Sequence, residues 1–146
     1  MAVQQLHHVS IVVEDLEAAK AFFTELGLEL EGEAPIEGPW ADRINALEGV
    51  MIDIAMMRTP DGVGRLELTT FHHPQVISPE PLNALGNTLG LRSIMFVVDD
   101  LDTTLAGLQD RGAELIGEVV QYEDVHRLCY VRGPAGIIVA LSENLR

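Results

Sequence analysis

The sequence has 146 residues, 47% hydrophobic and 22% charged, with a formal net charge of −14 and a pI near 4.5. This length gives one domain or two small fused units, and such an acidic chain repels nucleic-acid phosphates and anionic lipids. A single cysteine, Cys129, excludes an intramolecular disulfide and a cysteine-based zinc site. Without a membrane-length apolar run or a visible signal peptide, we expect a cytoplasmic protein with neither nucleic-acid nor membrane partners.

The chain opens with a strand, a capped helix and a second strand. The β-branched run Val9–Val13 predicts the first strand, and Asp15 follows where an N-cap is expected. Apolar residues then recur at helical spacing up to Gly27, which is a typical helix stop, and the next strand starts at Leu28.

Two further strands follow, and the chain then crosses a linker. Met51–Met57 predicts one strand, the turn Thr59–Gly62 reverses the chain, and Arg65–Phe71 predicts the next. Polar residues at alternate positions of that last strand suit the lining of a polar cavity. The stretch between the two halves is rich in proline, and we expect a short helix at Pro81–Leu85.

The β-α-β-β-β pattern occurs twice. Residues 6–34 align without gaps with residues 91–119, and 11 of the 29 positions are identical, including the cap Asp15/Asp100 and the stop Gly27/Gly112. We therefore predict an α+β fold and a single domain over residues 5–144. Its boundaries are module one at 5–72, a linker at 73–89 and module two at 90–144.

Two such modules in a small acidic chain resemble the vicinal oxygen chelate superfamily, which includes glyoxalase I, bleomycin-resistance proteins, methylmalonyl-CoA epimerase and extradiol dioxygenases. The resemblance covers nearly the whole chain and rests on the motifs at 8–16, 65–68 and 133–141. It implies that the two βαβββ modules form a U-shaped mixed sheet around a cup that holds a small molecule. It also implies a homodimer.

The resemblance further implies four metal-ligand positions, of which this chain fills two. His8 and Glu67 match the positions of module one, whereas Ser93 and Ala140 occupy those of module two. The retained pair is compatible with weakly held Mn, Ni, Zn or Fe, and equally with no metal. None of the substitutes we considered, namely His7, His72, His73, His126 and Glu143, occupies a motif position, and we expect His7 to face away from His8 and His72 and His73 to lie in a loop.

Several other residues are candidates for contact with a ligand. Trp40 is either a packing anchor or an aromatic wall, and Arg43 can pair with an anionic group. We add Arg65, Ser93, Tyr122, His126 and Arg127 as candidate ligand-binding residues. For the sulfur-containing residues we expect an inert buried thiol at Cys129 and core packing for Met51, Met56, Met57 and Met95.

Three functions follow from this pattern. The first is a lyase or isomerase of the glyoxalase kind with a reduced metal site at His8 and Glu67. The second is a metal-free protein that sequesters a small molecule, such as a cationic drug, without catalysis. The third is a metal-free enzyme in which Glu67 is the catalytic base and His8 orients it.

Overall fold

The computed structural model describes residues 2–146, which form two compact units that divide between Ser78 and Pro79. The first unit contains β1 (Val9–Val12), α1 (Leu16–Leu26), β2 (Glu29–Glu37), α2 (Pro39–Asn45), β3 (Met51–Arg58) and β4 (Arg65–His73). The second contains β5 (Ser93–Val98), α3 (Leu101–Asp110), β6 (Glu114–Tyr122), β7 (His126–Arg132) and β8 (Ile138–Asn144), with a single 3-10 turn before β8.

Both units have the same sheet topology. The strand order is β1-β4-β3-β2 in the first and β5-β8-β7-β6 in the second. In each, the first strand pairs in parallel with the last, and the other pairs are antiparallel. The predicted α+β fold of two βαβββ repeats is confirmed, and α2 is an addition found only in the first repeat.

The helix of each repeat starts at the predicted aspartate. The Asp15 carboxylate accepts from the backbone N–H of Ala18 at 3.0 Å, and that of Asp100 accepts from Thr103 at 3.1 Å. Gly27, with φ of 117°, ends α1 because this left-handed backbone turns the chain so that the N–H of Leu28 donates to the Phe23 carbonyl at 2.9 Å. The two repeats thus use the same N-terminal signal.

In each unit the longer helix, α1 or α3, packs on one face of its own sheet. The main core of that unit lies between this helix and this sheet. In the first unit Phe23, Met57 and Leu68 are fully buried. In the second, Leu108, Val131 and Leu141 are their counterparts. Because side chains alternate along a strand, each sheet also has a second side turned away from its helix, which we call the far face.

Three expectations about local structure were wrong. Residues 81–85 do not form a helix: 81–83 are bends, and the Ala84 carbonyl accepts from the Arg132 side chain at 2.9 Å. His72 and His73 lie in β4, not in a loop, because that strand extends to His73. Of the methionines predicted to pack in the core, Met57 is fully buried, whereas Met51 and Met95 are about half exposed.

Cys129 is a free, buried thiol, as predicted, and burial raises its pKa above the ordinary value. Within residues 2–146 every helix is too short or too polar to cross a bilayer.

Candidate functional site

Three polar side chains meet on the far face of the first sheet. Ser10 of β1 lies directly opposite Glu67 of β4, and directly paired residues point to the same side of a sheet. The Ser10 hydroxyl donates to Glu67 Oε1 at 3.3 Å, and the Thr69 hydroxyl donates to the same oxygen at 3.1 Å. One oxygen of this carboxylate is therefore fixed by two hydroxyls, while Oε2 is left for another partner.

His8 is the nearest further polar group. Its Nε2 lies 3.6 Å from Glu67 Oε2, and the two side chains are 30% and 22% exposed. This separation is too long for a hydrogen bond, so the two atoms adjoin without satisfying each other. Both side chains are partly exposed to solvent. The imidazole can act as a hydrogen-bond donor or as a base, and the carboxylate beside it can act as an acceptor.

His7 contacts His8, contrary to the expectation that it faces away. The two Nδ1 atoms are 2.7 Å apart, and the rings meet edge to face. The alternation argument fails here because β1 begins only at Val9, so neither histidine is in a regular strand.

Apolar side chains surround the polar centre. Val12 and Ile54 both lie opposite Thr69, and Met56 lies opposite Glu67. Val12 is 47% exposed, so this apolar surface is accessible. Arg65, also on the far face, donates through Nε to Glu31 at 3.1 Å, and this hydrogen bond lowers the pKa of the Glu31 carboxyl. The guanidinium charge of Arg65 therefore already has a partner within the first unit.

The donors do not fit the four-ligand metal site that the resemblance implies. Of the four positions, only His8 and Glu67 carry strong donors, and Ser93 and Ala140 belong to the second unit. Among residues 2–146 no group of three or more histidine, cysteine or carboxylate side chains is arranged to hold a metal ion. We therefore derive no chemistry through a metal.

Three of the possible substitutes for the missing donors, His72, His73 and Glu143, are engaged elsewhere. His72 Nε2 lies 2.7 Å from Asp53 Oδ2, and His73 Nδ1 lies 2.8 Å from the Gly49 carbonyl. Glu143 accepts from the backbone N–H of Leu101 at 2.6 Å, at the start of α3.

The far face of the second sheet is apolar where that of the first is polar. Met95 lies opposite Ala140, which lies opposite Tyr130, so the position that corresponds to Glu67 carries only a methyl group. Ser93 is on this face and exposed. At the β6–β7 hairpin the rings of Tyr122 and His126 stack, with centroids 5.9 Å apart.

The remaining candidates do not join these groups. Arg127 lies on the helix side of its sheet, where two hydrogen bonds of 2.9 Å tie it to Asp102 of α3. Trp40 and Arg43 are in α2 and exposed, Trp40 by 53%, so Trp40 is not a buried anchor.

A separate groove of about 790 Å³ lies at the N-terminus of α1. Glu14, Asp15, Glu17, Asp53 and His72 are among its lining residues. None of the sequence-predicted ligand-binding or catalytic residues lines it.

Two contributors to the first-sheet site escaped sequence reasoning. Ser10 had a usable signal, because it is the polar residue between Val9 and Ile11 of the predicted strand and therefore faces away from the core. His7 had none, since its contact depends on where β1 starts. We call His7, His8, Ser10, Glu67 and Thr69 together the His8–Glu67 site.

Comparison with known proteins agrees with this architecture. The family model of the Glyoxalase/Bleomycin resistance protein/Dioxygenase superfamily matches residues 5–141. The crystal structure of a glyoxalase family protein from Bacillus cereus is 48% identical, with a TM-score of 0.95, and the match covers 100% of this chain and 99% of that one.

Two more distant similarities also span the chain. A curated relative, the uncharacterized protein YaeR of Escherichia coli K12, is 26% identical over 145 residues, 99% of each chain. TnmS3, an antibiotic binding protein from Streptomyces sp. CB03234, shares the fold with a TM-score of 0.63 at 22% identity, over 99% of this chain and 98% of that one. With the family model matched over nearly all of its length, the chain belongs to the Glyoxalase/Bleomycin resistance protein/Dioxygenase superfamily.

Proposed function

We propose that the protein binds a small organic molecule at the His8–Glu67 site without a metal ion. The observation that carries the proposal is a carboxylate with one oxygen fixed by Ser10 and Thr69 and the other without a hydrogen bond, beside apolar side chains of the same face. Such a site, a few placed polar groups among apolar side chains, is typical of small-molecule recognition.

The chemistry of the ligand follows from the polar groups. Glu67 Oε2 accepts hydrogen bonds and attracts positive charge, so the ligand carries an ammonium, amide or hydroxyl donor. Val12, Ile54 and Met56 then contact its apolar part. The net charge of −14 favours a cationic ligand over an anionic one.

Membership of a superfamily named in part for bleomycin resistance supports sequestration as the role of this binding. The fold is also that of TnmS3, an antibiotic binding protein, and this likeness supports a drug-like ligand. We therefore propose drug-like, cationic or hydroxyl-bearing molecules as the class to test.

The test is a thermal-shift panel of cationic and hydroxylated aromatic compounds, bleomycin included, in buffer with EDTA. Compounds that raise the melting temperature are then titrated calorimetrically into wild type, Glu67→Gln and the matched control Glu118→Gln, which removes an exposed charge from β6 of the second unit. Loss of a charge-assisted hydrogen bond predicts ~10- to 100-fold weaker binding by Glu67→Gln only. Equal affinity of all three proteins, or no binding by any compound, contradicts the proposal.

The free Glu67 oxygen also supports a second function, proton transfer without a metal. A carboxylate with one oxygen anchored and an imidazole 3.6 Å from the other is suited to remove a proton next to a carbonyl group. Dihydroxyacetone in D₂O with EDTA is a simple probe, because deuterium uptake at carbon is visible by NMR. Exchange that wild type accelerates and Glu67→Gln reduces ~100-fold or more supports this function. The same rate with both proteins contradicts it.

A further inference from the structure

His7 touches His8 on the side of the ring opposite Glu67. His7 Nδ1 and His8 Nδ1 are 2.7 Å apart, whereas His8 Nε2 points to Glu67 Oε2 at 3.6 Å. The three side chains therefore form a row in which His8 is in the middle and presents a different nitrogen to each neighbour.

The short contact between the two rings limits where their protons lie. A neutral imidazole has one N–H and one acceptor nitrogen, so one Nδ1 of the pair donates and the other accepts. Two arrangements satisfy this requirement. Either His7 donates and His8 holds its proton on Nε2, or His8 donates from Nδ1 and leaves a lone pair on Nε2.

Glu67 distinguishes the two arrangements. An ionised carboxylate only accepts hydrogen bonds, so an Nε2–H of His8 is attracted to Oε2, while a lone pair on Nε2 is repelled. Since Ser10 and Thr69 fix the other carboxylate oxygen, Oε2 stays directed at the ring. The tautomer of one imidazole nitrogen is commonly set by the partner of the other nitrogen.

We infer that His7 is a positioning residue that donates its Nδ1–H to His8 and so holds His8 in the Nε2–H tautomer. The site then presents a donor, His8 Nε2–H, beside an acceptor, Glu67 Oε2. One oxygen can lie about 2.8 Å from both atoms when it sits to the side of the line that joins them, because the two atoms are only 3.6 Å apart. A single ligand hydroxyl satisfies both groups, accepting from His8 and donating to Glu67.

This inference deepens the proposed function and rests on it for the identity of the bridging atom. The arrangement of protons, by contrast, is a property of the ligand-free protein. An NMR test on that protein keeps failure of the inference distinct from failure of ligand binding.

The test is a long-range ¹H–¹⁵N correlation spectrum of the histidine rings at mildly alkaline pH, since the pattern of cross-peaks distinguishes the two neutral tautomers from each other and from the charged ring. We expect His8 as the Nε2–H form and His7 as the Nδ1–H form. The His7 result is diagnostic, because an exposed imidazole in water prefers its proton on Nε2. His7 with its proton on Nε2, or His8 with its proton on Nδ1, overturns the inference.

Glu67→Gln provides a second readout that a merely structural role of His7 would not move. An amide can donate as well as accept, so the preference of His8 for Nε2–H weakens, and the population of His7 Nδ1–H falls although Glu67 has no direct contact with His7 in the row. Glu118→Gln leaves both tautomers unchanged. If the His7 spectrum is the same in Glu67→Gln as in wild type, the coupling through His8 does not exist.

His7→Phe completes the design, since it keeps a flat ring but removes the donor. His8 then shifts towards a mixture of its two tautomers, while the backbone amide spectrum shows that the fold is intact. If His8 stays entirely in the Nε2–H form in a folded His7→Phe protein, His7 has no positioning role and the inference is wrong.

Discussion

The two units share a topology but differ in what they place on the far face of the sheet. At the position where β4 carries Glu67, held by Ser10 and Thr69, β8 carries Ala140 between Met95 and Tyr130. The helix side of the two sheets is much more alike, with fully buried apolar residues in both.

The difference shows that fold and chemistry depend on different residues. The caps Asp15 and Asp100 and the glycines that follow each helix recur because they define the repeat. His8 and Glu67 have no counterparts in the second unit, which nevertheless folds with the same strand order. The far-face donors are therefore dispensable for the topology and are available for function.

The largest expected effect comes from equivalent core positions. Phe23 and Leu108 are 85 residues apart, correspond in the repeat and are both fully buried. Phe23→Ala is expected to lower the free energy of unfolding by ~3–5 kcal/mol and Leu108→Ala by ~2–5 kcal/mol, because each leaves a cavity. Urea denaturation followed by circular dichroism measures both.

Leu89→Ala is the control for these core variants, because Leu89 is 96% exposed and its loss should change little. A cost below ~1 kcal/mol for either core variant would mean that the two repeats do not rely on equivalent cores.

A close contact at a glycine of the second unit gives the next largest effect. Gly136 has φ of 77°, and a Cβ there would lie 2.3 Å from the Leu82 carbonyl oxygen. Gly112 has a similar φ of 89° but open space around it. Gly136→Ala is expected to cost about 3 kcal/mol and Gly112→Ala about 1 kcal/mol, measured by the same denaturation, since only the first adds a clash to the strained backbone. Equal costs would show that backbone strain alone acts at both glycines.

The N-caps test the likeness of the two repeats directly. Asp15 and Asp100 accept from the third following residue at 3.0 and 3.1 Å. Asp15→Ala and Asp100→Ala should each cost ~1 kcal/mol in chemical denaturation, with most of the stability retained in the corresponding Asn variants. Markedly unequal losses would contradict the equivalence of the two helix starts.

Much of the fold was predictable from sequence because its signals are local. Asp15 marks the start of a helix, Gly27 marks its end, and the β-branched runs mark strands, each from the residues in its immediate neighbourhood. The same signals occur in both repeats. Ser10 and Glu67 meet because β1 pairs with β4, and no local signal determines that pairing or its register. The helix expected at Pro81–Leu85 is absent, and the contact found there is again long-range, since Arg132 donates to the Ala84 carbonyl from 48 residues away in sequence.

Two aspartates, Asp42 in the first unit and Asp102 in the second, have lowered pKa values with different causes. Backbone N–H groups of Val50 and then Gly49 lower the pKa of Asp42 from the ordinary value near 3.8, whereas the Arg127 side chain lowers the pKa of Asp102. A depressed folded-state pKa adds stability above the unfolded value, and this stability is lost as the pH falls through the folded value. Both contributions therefore disappear in acid, below the ordinary aspartate range.

The measurement is the melting temperature of wild type, Asp42→Asn and Asp102→Asn between about pH 6 and pH 3. The difference between wild type and each variant reports the contribution of that aspartate. High salt should reduce the Asp102 contribution, which is an exposed ion pair, more than that of Asp42, whose partners are neutral. The same salt response at both positions would contradict the assignment of the two causes.

The smallest effect on stability, and the sharpest test of the comparison, is expected for Glu67→Ala. This substitution gives the first sheet the residue that the second has at Ala140. It removes two hydroxyl hydrogen bonds from a side chain that is 22% exposed, so water can replace them and the free energy of unfolding should change by ~1 kcal/mol or less. Denaturation of Glu67→Ala beside Glu118→Ala measures it. A loss above ~2 kcal/mol would make Glu67 part of the structural framework of the first sheet, and the second unit would then need another source of the same stability.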